Sequence, residues 1–317
     1  MGNIPGQLFE QTLQRFVTPS AHVVHIEELP SGSQGYSGSN VRHFAVAYKD
    51  ARGDCRSTRL VTKDAPLLER RILAYLSNQG HAHIPFSSTL DLTTDAPALV
   101  CQRYIGVPEP SSAHVMTQAA QGLARIHQAN MGRDAELAWL PRADRAFFDG
   151  SYVLGNWWNE WTQTMADPQF AQEFGAFTGR LQAAAAHFLR EMDAIWDDGR
   201  SLTLVHGDLH VGNVLADHDM PYFIDWEHAR YGSLYLDLPN YFAPEHLPMY
   251  RGALAELGYA IPADELIQGY HEASRYVGFK YLGFWLQHWR RGGDDRTLSR
   301  APLAALIATA IEGRPVH

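Results

Sequence analysis

The feature that most limits the possible folds is a change in residue pattern near residue 105. Before it, strand-like segments alternate with turn sequences, at residues 22–29, 41–50, 57–63 and 97–105. After residue 110, apolar residues recur at the three- and four-residue spacing of a helix face. The pattern predicts an α+β fold, with a small sheet-rich lobe over residues 1–105 and a larger, mainly helical lobe over residues 106–317.

Each predicted lobe also contains an element of the other kind. In the first lobe, a helix is predicted after Asp64, with Pro66 in its first turn. In the second, the apolar segments 213–216 and 222–226 flank the turn sequence "DHDMP", which predicts a β-hairpin. One apolar stripe in the second lobe is predicted to be a core face and consists of Val277, Tyr281, Phe284 and Trp285.

Composition and charge exclude several classes of protein. A hydrophobic share of 45% in 317 residues is that of a folded globular protein. Because 26 Lys and Arg stand against 35 Asp and Glu, without a basic run, nucleic-acid binding is not expected. Only Cys55 and Cys101 are present, which favours the reducing cytoplasm, and no apolar run reaches the ~20 residues of a membrane span. The oligomeric state stays open.

The segment "LVHGDLHVGNVL", residues 204–215, concentrates groups that carry chemistry. Asn213 begins the predicted hairpin and Asp225 lies near the end of its second strand, so the hairpin brings their oxygens together. Amide and carboxylate oxygens suit Mg²⁺. Asp208 then remains to align a hydroxyl and accept its proton, which together with a metal is what phosphoryl transfer from a nucleotide requires.

The first lobe offers groups that could hold phosphates. Ser37, Gly38 and Ser39 lie between two predicted strands, where backbone N–H groups can point at phosphate oxygens. Lys63 ends the third predicted strand and Glu69 lies on the helix that follows. We expect these two residues to form an ion pair that directs the ammonium at the phosphates.

Taken in this order, the motifs resemble the aminoglycoside phosphotransferase and choline kinase family, which shares the protein-kinase-like fold. The most specific part is HGDLHxGN followed by IDWE, and the resemblance covers roughly residues 25 to 245. It implies a two-lobed fold and an enzyme that uses ATP, or another nucleoside triphosphate, with Mg²⁺ to phosphorylate a hydroxyl of a small molecule.

The resemblance also implies roles for single residues. Asp208 becomes the catalytic aspartate, Asn213 and Asp225 the magnesium ligands, and Asp237 a structural brace of the catalytic segment. Lys63 becomes the phosphate-contacting lysine, with Glu69 as its partner. The hinge that meets the adenine is implied at Gln102, Arg103, Tyr104 and Ile105.

Three other readings of the motifs stay open. A kinase-like domain could bind a nucleotide without transferring phosphate. A metallophosphoesterase also uses Gly-Asp, His and Gly-Asn, but it leaves the Lys63 lobe unexplained. A protein kinase is disfavoured because "HGD" and "IDWE" stand where "HRD" and "DFG" would.

Several other side chains have more than one interpretation. His206 and His210 could bind a metal, but a hydrogen-bonding role in the loop is favoured. Glu227 follows Asp225 by two, so on a strand both side chains would face the same side; Glu227 could then reach the metal region or a substrate amine, or it could anchor a loop by a hydrogen bond.

Trp157, Trp158 and Trp161 with Glu160 could form an aromatic and acidic pocket for a cation, although helical spacing favours core packing for at least one Trp. Together with the acidic charge balance, this segment favours an aminoglycoside or other amine-bearing alcohol as acceptor.

Overall fold

The computed structural model describes residues 6–30, 40–106 and 112–314. The strands are β1 His22–Leu29, β2 Arg42–Lys49, β3 Cys55–Ala65, β4 Ser87–Thr89, β5 Ala98–Arg103, β6 Leu202–Val205, β7 Val214–Asp217, β8 Met220–Phe223 and β9 Arg230–Ser233. The α-helices are α1 Gly6–Phe16, α2 Leu67–Gln79, α3 Ala113–Asn130, α4 Arg145–Asp149, α5 Leu154–Thr164, α6 Pro168–Phe174, α7 Thr178–Asp198, α8 Leu247–Glu256, α9 Ala263–Arg291 and α10 Asp294–Glu312.

The chain packs into two compact units. The first, here called the sheet unit, contains Met1–Gly122 and Gly212–Ala229; the second, the helical unit, contains Leu123–Val211 and Arg230–His317. None of the described helices has the length and apolarity needed to cross a membrane. The lobe boundary placed between residues 105 and 106 stays a prediction.

The sheet unit is built on an antiparallel sheet in the order β1-β2-β3-β5-β4. The strands and the helix predicted in this region are confirmed, whereas α1 and the short β4 were not predicted. Alternate side chains of β2 enter the core, because successive residues of a strand point to opposite faces. That core is formed by Leu8, Phe9, Leu13, Ala21, Phe44, Val46, Tyr48, Leu60 and Cys101.

The predicted hairpin is confirmed as β7 and β8, although its turn is shorter than predicted and its second strand is Met220–Phe223 instead of residues 222–226. Its strands pair from Val214 with Phe223 to Asp217 with Met220. The Phe223 N–H donates to the His83 carbonyl at 2.9 Å, and His83 Nδ1 donates to the Pro221 carbonyl at 2.9 Å. These bonds attach the hairpin to the segment between α2 and β4, which explains why residues 212–229 belong to the sheet unit.

The helical unit is packed around aromatic side chains, and its longest helix, α9, has 29 residues. The core stripe predicted on α9 is wrong in part, since Phe284 is 46% exposed and Tyr281 is only half-buried. The buried face instead carries Phe279, Leu282, Leu286 and Trp289. Several faces of this helix are apolar, so the spacing alone could not select the one that packs. The α+β class predicted from the sequence is confirmed.

Candidate active site

Lys63 in the sheet unit lies between two carboxylates. Its Nζ is 2.7 Å from Glu69 Oε1 and 2.8 Å from Asp225 Oδ1. Lys63 is in the last part of β3, and α2 begins at Leu67 after the Pro66 turn, which places Glu69 in the first helical turn. The structure therefore brings together three residues that are up to 162 positions apart in the sequence.

Burial controls the charges of this cluster. Burial raises the pKa of Glu69 to about 7, although the Lys63 ammonium opposes that change. Burial lowers the pKa of Lys63, but attraction from Glu69 and Asp225 outweighs it and leaves the pKa above its ordinary value. Lys63 is thus held as an ammonium whose position is fixed from two sides.

Asp225 and Asn213 lie at the open end of the hairpin. The Ile224 N–H donates to the Asn213 carbonyl at 3.0 Å, which joins the two chain segments next to these residues. Asp225 has φ of 64°, in the left-handed region that Asp tolerates better than most residues. The convergence expected from a hairpin is therefore present in the backbone.

A third carboxylate joins Asp225 and Glu69. Oxygen atoms of Glu69, Asp225 and Glu227 lie within 4.8 Å of one another. Glu227 is not on a strand, because β8 ends at Phe223 and Glu227 lies in the 3₁₀ turn Trp226–His228. The side chains of Asp225 and Glu227 are 30% and 28% exposed, so both are accessible to a ligand. These carboxylate oxygens are hard donors of the kind that Mg²⁺ prefers, and a role for the Asn213 amide beside them stays a prediction.

Two of the four predicted hinge side chains have partners inside the sheet unit. The Gln102 amide is buried and donates to Ser87 Oγ at 2.9 Å. The Arg103 guanidinium donates to the Tyr222 hydroxyl at 3.0 Å and forms an ion pair with Asp217. These contacts tie β5 to β4 and to the hairpin, so both side chains have a structural role.

The other predicted nucleotide-contacting residues fall into two groups. The Tyr104 N–H donates to the Arg59 carbonyl at 3.2 Å, and Ile105 is buried. The predicted phosphate loop residues Ser37, Gly38 and Ser39 lie outside the described residues. The adenine and phosphate contacts at all these positions stay predictions.

In the helical unit, Asp237 fixes the backbone that leads to Asp208. The N–H groups of His206 and Gly207 donate to its carboxylate at 2.7 and 2.9 Å. His127 Nε2 lies 3.2 Å from the same carboxylate, and Asp237 is buried. Burial raises the pKa of Asp237, but the bond from His127 and the bonds from the segment outweigh it and hold the pKa below its ordinary value. Asp237 therefore holds the backbone of His206 and Gly207, next to Asp208, in place.

The Asp208 carboxylate is held by two residues of α9. Lys280 Nζ and the Tyr281 hydroxyl each lie 2.6 Å from Asp208 Oδ1. Lys280 also donates to the Gly207 carbonyl at 2.9 Å, and its side chain is only 9% exposed. His210 Nε2 lies 3.6 Å from Asp208 Oδ2, which agrees with a supporting role for that histidine.

These neighbours set the ionisation of Asp208. Burial raises its pKa, but the bonds from His210, Lys280 and Tyr281 and the Lys280 charge outweigh burial. The pKa of Asp208 therefore lies well below its ordinary range, and the group stays a carboxylate throughout the physiological range.

Lys280 and Tyr281 were missed by sequence reasoning. They lie 72 and 73 residues beyond Asp208, and no local motif surrounds them. The periodicity assigned Tyr281 to the core and gave no role to Lys280. Only the packing of α9 against the Asp208 segment brings these groups together.

The expected cation pocket around Glu160 is not formed. Trp157 and Trp161 are buried, whereas Trp158 is 40% exposed. The Glu160 carboxylate forms an ion pair with Arg290 and accepts a bond from Gln287 at 3.3 Å. Because its charge is already neutralised, this segment does not favour an amine-bearing ligand.

Comparison with known proteins identifies the class. The model of the phosphotransferase enzyme family matches residues 47–276, and the chain belongs to this family. No curated protein sequence matches the chain. The motif-based identification of the family is thereby confirmed.

Solved structures share the fold at low sequence identity. A spectinomycin phosphotransferase in complex with ADP and spectinomycin is 14% identical, with a TM-score of 0.59 over 98% of this chain and 99% of that one. The GDP and kanamycin complex of APH(2")-IIia is 15% identical, with a TM-score of 0.56 over 95% and 98%. A protein described as a fructosamine-3-kinase from Thermobifida fusca YX-ER1 is 16% identical, with a TM-score of 0.56 over 95% and 98%. The protein-kinase-like fold is confirmed.

Proposed function

We propose that this protein transfers the γ-phosphoryl group of ATP, or of another nucleoside triphosphate, to a hydroxyl of a small molecule in a Mg²⁺-dependent reaction. The observation that carries the proposal is the position of Lys63, fixed by Glu69 and Asp225. An ammonium held in this way compensates the charge of nucleotide phosphates. The ADP and GDP complexes of proteins with this fold support nucleotide binding.

The residues of the sheet unit would hold the nucleotide. Lys63 binds phosphate oxygens, and Glu69 keeps its ammonium from turning away. Asp225 and Asn213, with Glu227 beside them, would hold Mg²⁺, which when bound neutralises phosphate charge. Gln102 to Ile105 remain the proposed adenine hinge.

Asp208 aligns the acceptor hydroxyl. A carboxylate with so low a pKa is a weak base, so it orients the O–H bond first and accepts the proton only as the new O–P bond forms. In the same step the bond between the γ-phosphorus and the ADP oxygen breaks. This order suits the loose transition state of phosphoryl transfer, in which positioning contributes more than deprotonation.

A nucleotide-binding measurement tests the first half of this proposal. We expect ATP with Mg²⁺ to raise the melting temperature, by mass action on the folded state. Asp225→Asn should reduce this rise, because it alters a proposed Mg²⁺ ligand. Asp197→Asn, which removes a carboxylate from an exposed position, is the matched control and should leave the rise unchanged. The proposal fails if ATP with Mg²⁺ has no effect on the wild-type protein.

A screen of hydroxyl compounds tests the second half. Release of ADP that depends on the acceptor, together with a phosphorylated product, is the expected result. Nucleotide binding without transfer to any acceptor would favour the kinase-like domain that only binds. An aminoglycoside belongs in the screen because similar folds bind spectinomycin and kanamycin. A cytoplasmic location is part of the proposal, supported by two cysteines that form no disulfide.

A further inference from the structure

Arg230 is a charged residue of the helical unit for which the proposed reaction has no use. It begins β9, and its guanidinium carbon lies 4.0 Å from the centre of the Phe147 ring and 5.5 Å from that of Tyr152. Among residues 6–30, 40–106 and 112–314, none accepts a hydrogen bond from it and no carboxylate pairs with it. Asp144 acts on it only at longer range and itself caps α4 through the Phe147 N–H.

The aromatic rings around Arg230 also surround Lys280. Lys280 Nζ lies 5.7 Å from the centre of the same Tyr152 ring and 5.8 Å from that of Tyr276. The Tyr276 and Phe147 rings are 6.1 Å apart. Since Lys280 contacts Asp208, Arg230 belongs to the surroundings of the carboxylate that aligns the acceptor.

The charges of these groups do not cancel. Asp208 neutralises Lys280, which leaves the Arg230 charge in a half-buried aromatic setting. Burial lowers the pKa of Arg230, because desolvation disfavours the charged form more than the longer-range attraction of Asp144 favours it. An amine on the acceptor would be repelled here, whereas an oxyanion would stabilise the charged form.

We propose that the acceptor carries a carboxylate or phosphate group in addition to its hydroxyl, and that Arg230 binds this group. The planar guanidinium offers paired N–H donors that match either oxyanion, and its contact with the Phe147 ring, 4.0 Å from the guanidinium carbon to the ring centre, uses no oxygen acceptor for those donors. The inference rests on the proposed phosphotransfer function and names the acceptor class for it. It replaces the preference for an amine-bearing acceptor drawn from net charge.

Acceptors of matched skeleton test the charge preference. The panel contains glycerol, glycerate and glycerol 3-phosphate, and glucose, gluconate and glucosamine, each with ATP and Mg²⁺. We expect kcat/KM to be about 10- to 100-fold higher for an anionic member than for its neutral partner, the usual effect of hydrogen bonds to a charged group. Glycerate against glycerol 3-phosphate distinguishes a carboxylate from a phosphate.

Two variants assign the preference to Arg230. Arg230→Gln should remove it by raising KM for the anionic acceptor while KM for ATP is unchanged, and Arg230→Lys should restore part of it. Arg190→Gln, an exposed arginine on α7, is the matched control and should keep the wild-type preference. Binding of the same compounds, measured by NMR without nucleotide turnover, provides a second readout.

The outcomes separate the inference from the proposed function. Transfer that is equally efficient to neutral or amine-bearing members, or a preference that survives Arg230→Gln, overturns the inference and leaves the function intact. Binding of anionic compounds that depends on Arg230, without transfer, overturns the function and supports the anion site. Transfer to neutral or amine-bearing members without binding of anionic ones likewise overturns only the inference, whereas a panel of which no member is bound or phosphorylated counts against both.

Discussion

Each compact unit contains a lysine next to an aspartate, but the two pairs are built for opposite purposes. Lys63 contacts two carboxylates, so negative charge is in excess around its ammonium and the cluster can accept a cation. Asp208 is contacted by an ammonium, a hydroxyl and an imidazole, so hydrogen-bond donors outnumber the single carboxylate. The same two residue types therefore give a cation-binding cluster in one place and a fixed carboxylate in the other.

The difference shows that a lysine–aspartate pair acquires its chemistry from its further neighbours. In the sheet unit those neighbours are Glu69 and Glu227, which add oxygen ligands. In the helical unit they are Tyr281, which donates a hydrogen bond to the Asp208 carboxylate, and His210, which lies next to its other oxygen. A substitution of Asp208 should therefore change kcat alone, whereas a substitution of Lys63 should change both kcat and ATP binding.

The largest effect is expected from Asp208→Asn. The amide keeps the size of the side chain but cannot accept the proton, so we expect kcat to fall by about 10²- to 10⁴-fold while nucleotide affinity stays the same. Steady-state kinetics with equilibrium binding of ADP measures both quantities. Turnover close to wild type in this variant would remove Asp208 from the mechanism.

Lys63→Met is expected to act on the nucleotide. Loss of an ammonium that stabilises charge on the transferring phosphoryl group should lower kcat by about 10²- to 10³-fold and also weaken ATP binding. Lys49→Met, which removes a lysine from an exposed position at the end of β2, is the control and should change neither quantity. If both variants behave alike, Lys63 does not contact phosphate.

A smaller effect, visible mainly in its pH dependence, is expected from Lys280→Met. Lys280 helps to hold the pKa of Asp208 below its ordinary value, so its removal should raise that pKa and move the acid limb of kcat/KM to higher pH. At pH 8, where Asp208 is ionised in both proteins, the loss should be about tenfold or less. The pH profile of kcat/KM measures this.

Stability provides a second readout for the same variant. A depressed carboxylate pKa stabilises the folded state above the unfolded pKa, near 4, and that stabilisation disappears as the pH falls toward the folded value. Lys280→Met should thus lower the free energy of unfolding near neutral pH and have less effect at low pH. An acid limb that does not move would contradict the coupling of Lys280 to Asp208.

Much of the site could be predicted because its parts are local in the sequence. HGDLHVGN and the following IDWE are joined by one short hairpin, so Asn213 and Asp225 had to come close together. Lys63 and Glu69 are separated by a single strand-to-helix turn, and the structure places their charged atoms 2.7 Å apart. Local geometry limits such pairs to a few arrangements, which is why their spacing was informative.

The residues that sequence reasoning missed are distant and have no local signature. Lys280 and Tyr281 resemble ordinary positions of an amphipathic helix, and Arg230 lies within FIDWEHARYG, residues 223–232, but the resemblance implied no role for it. The cation pocket expected at residues 157–161 failed for the same reason, because the partner of Glu160 is Arg290, 130 positions away. Spacing within a segment carries no information about which distant helix will pack on it.

The sequence by itself determined the family, the α+β class and the residue types that phosphoryl transfer requires, because strand and helix periodicity and the HGD and IDWE motifs are local properties of the chain. The tertiary structure alone decided the electrostatics: which carboxylate is fixed by a lysine, which lysine is held by carboxylates, and that Arg230 contacts aromatic rings instead of a carboxylate among the described residues. The physical reason is that the ionisation of a group and its interaction energy depend on burial and on neighbours within a few ångströms. Most of those neighbours are supplied by remote parts of the chain.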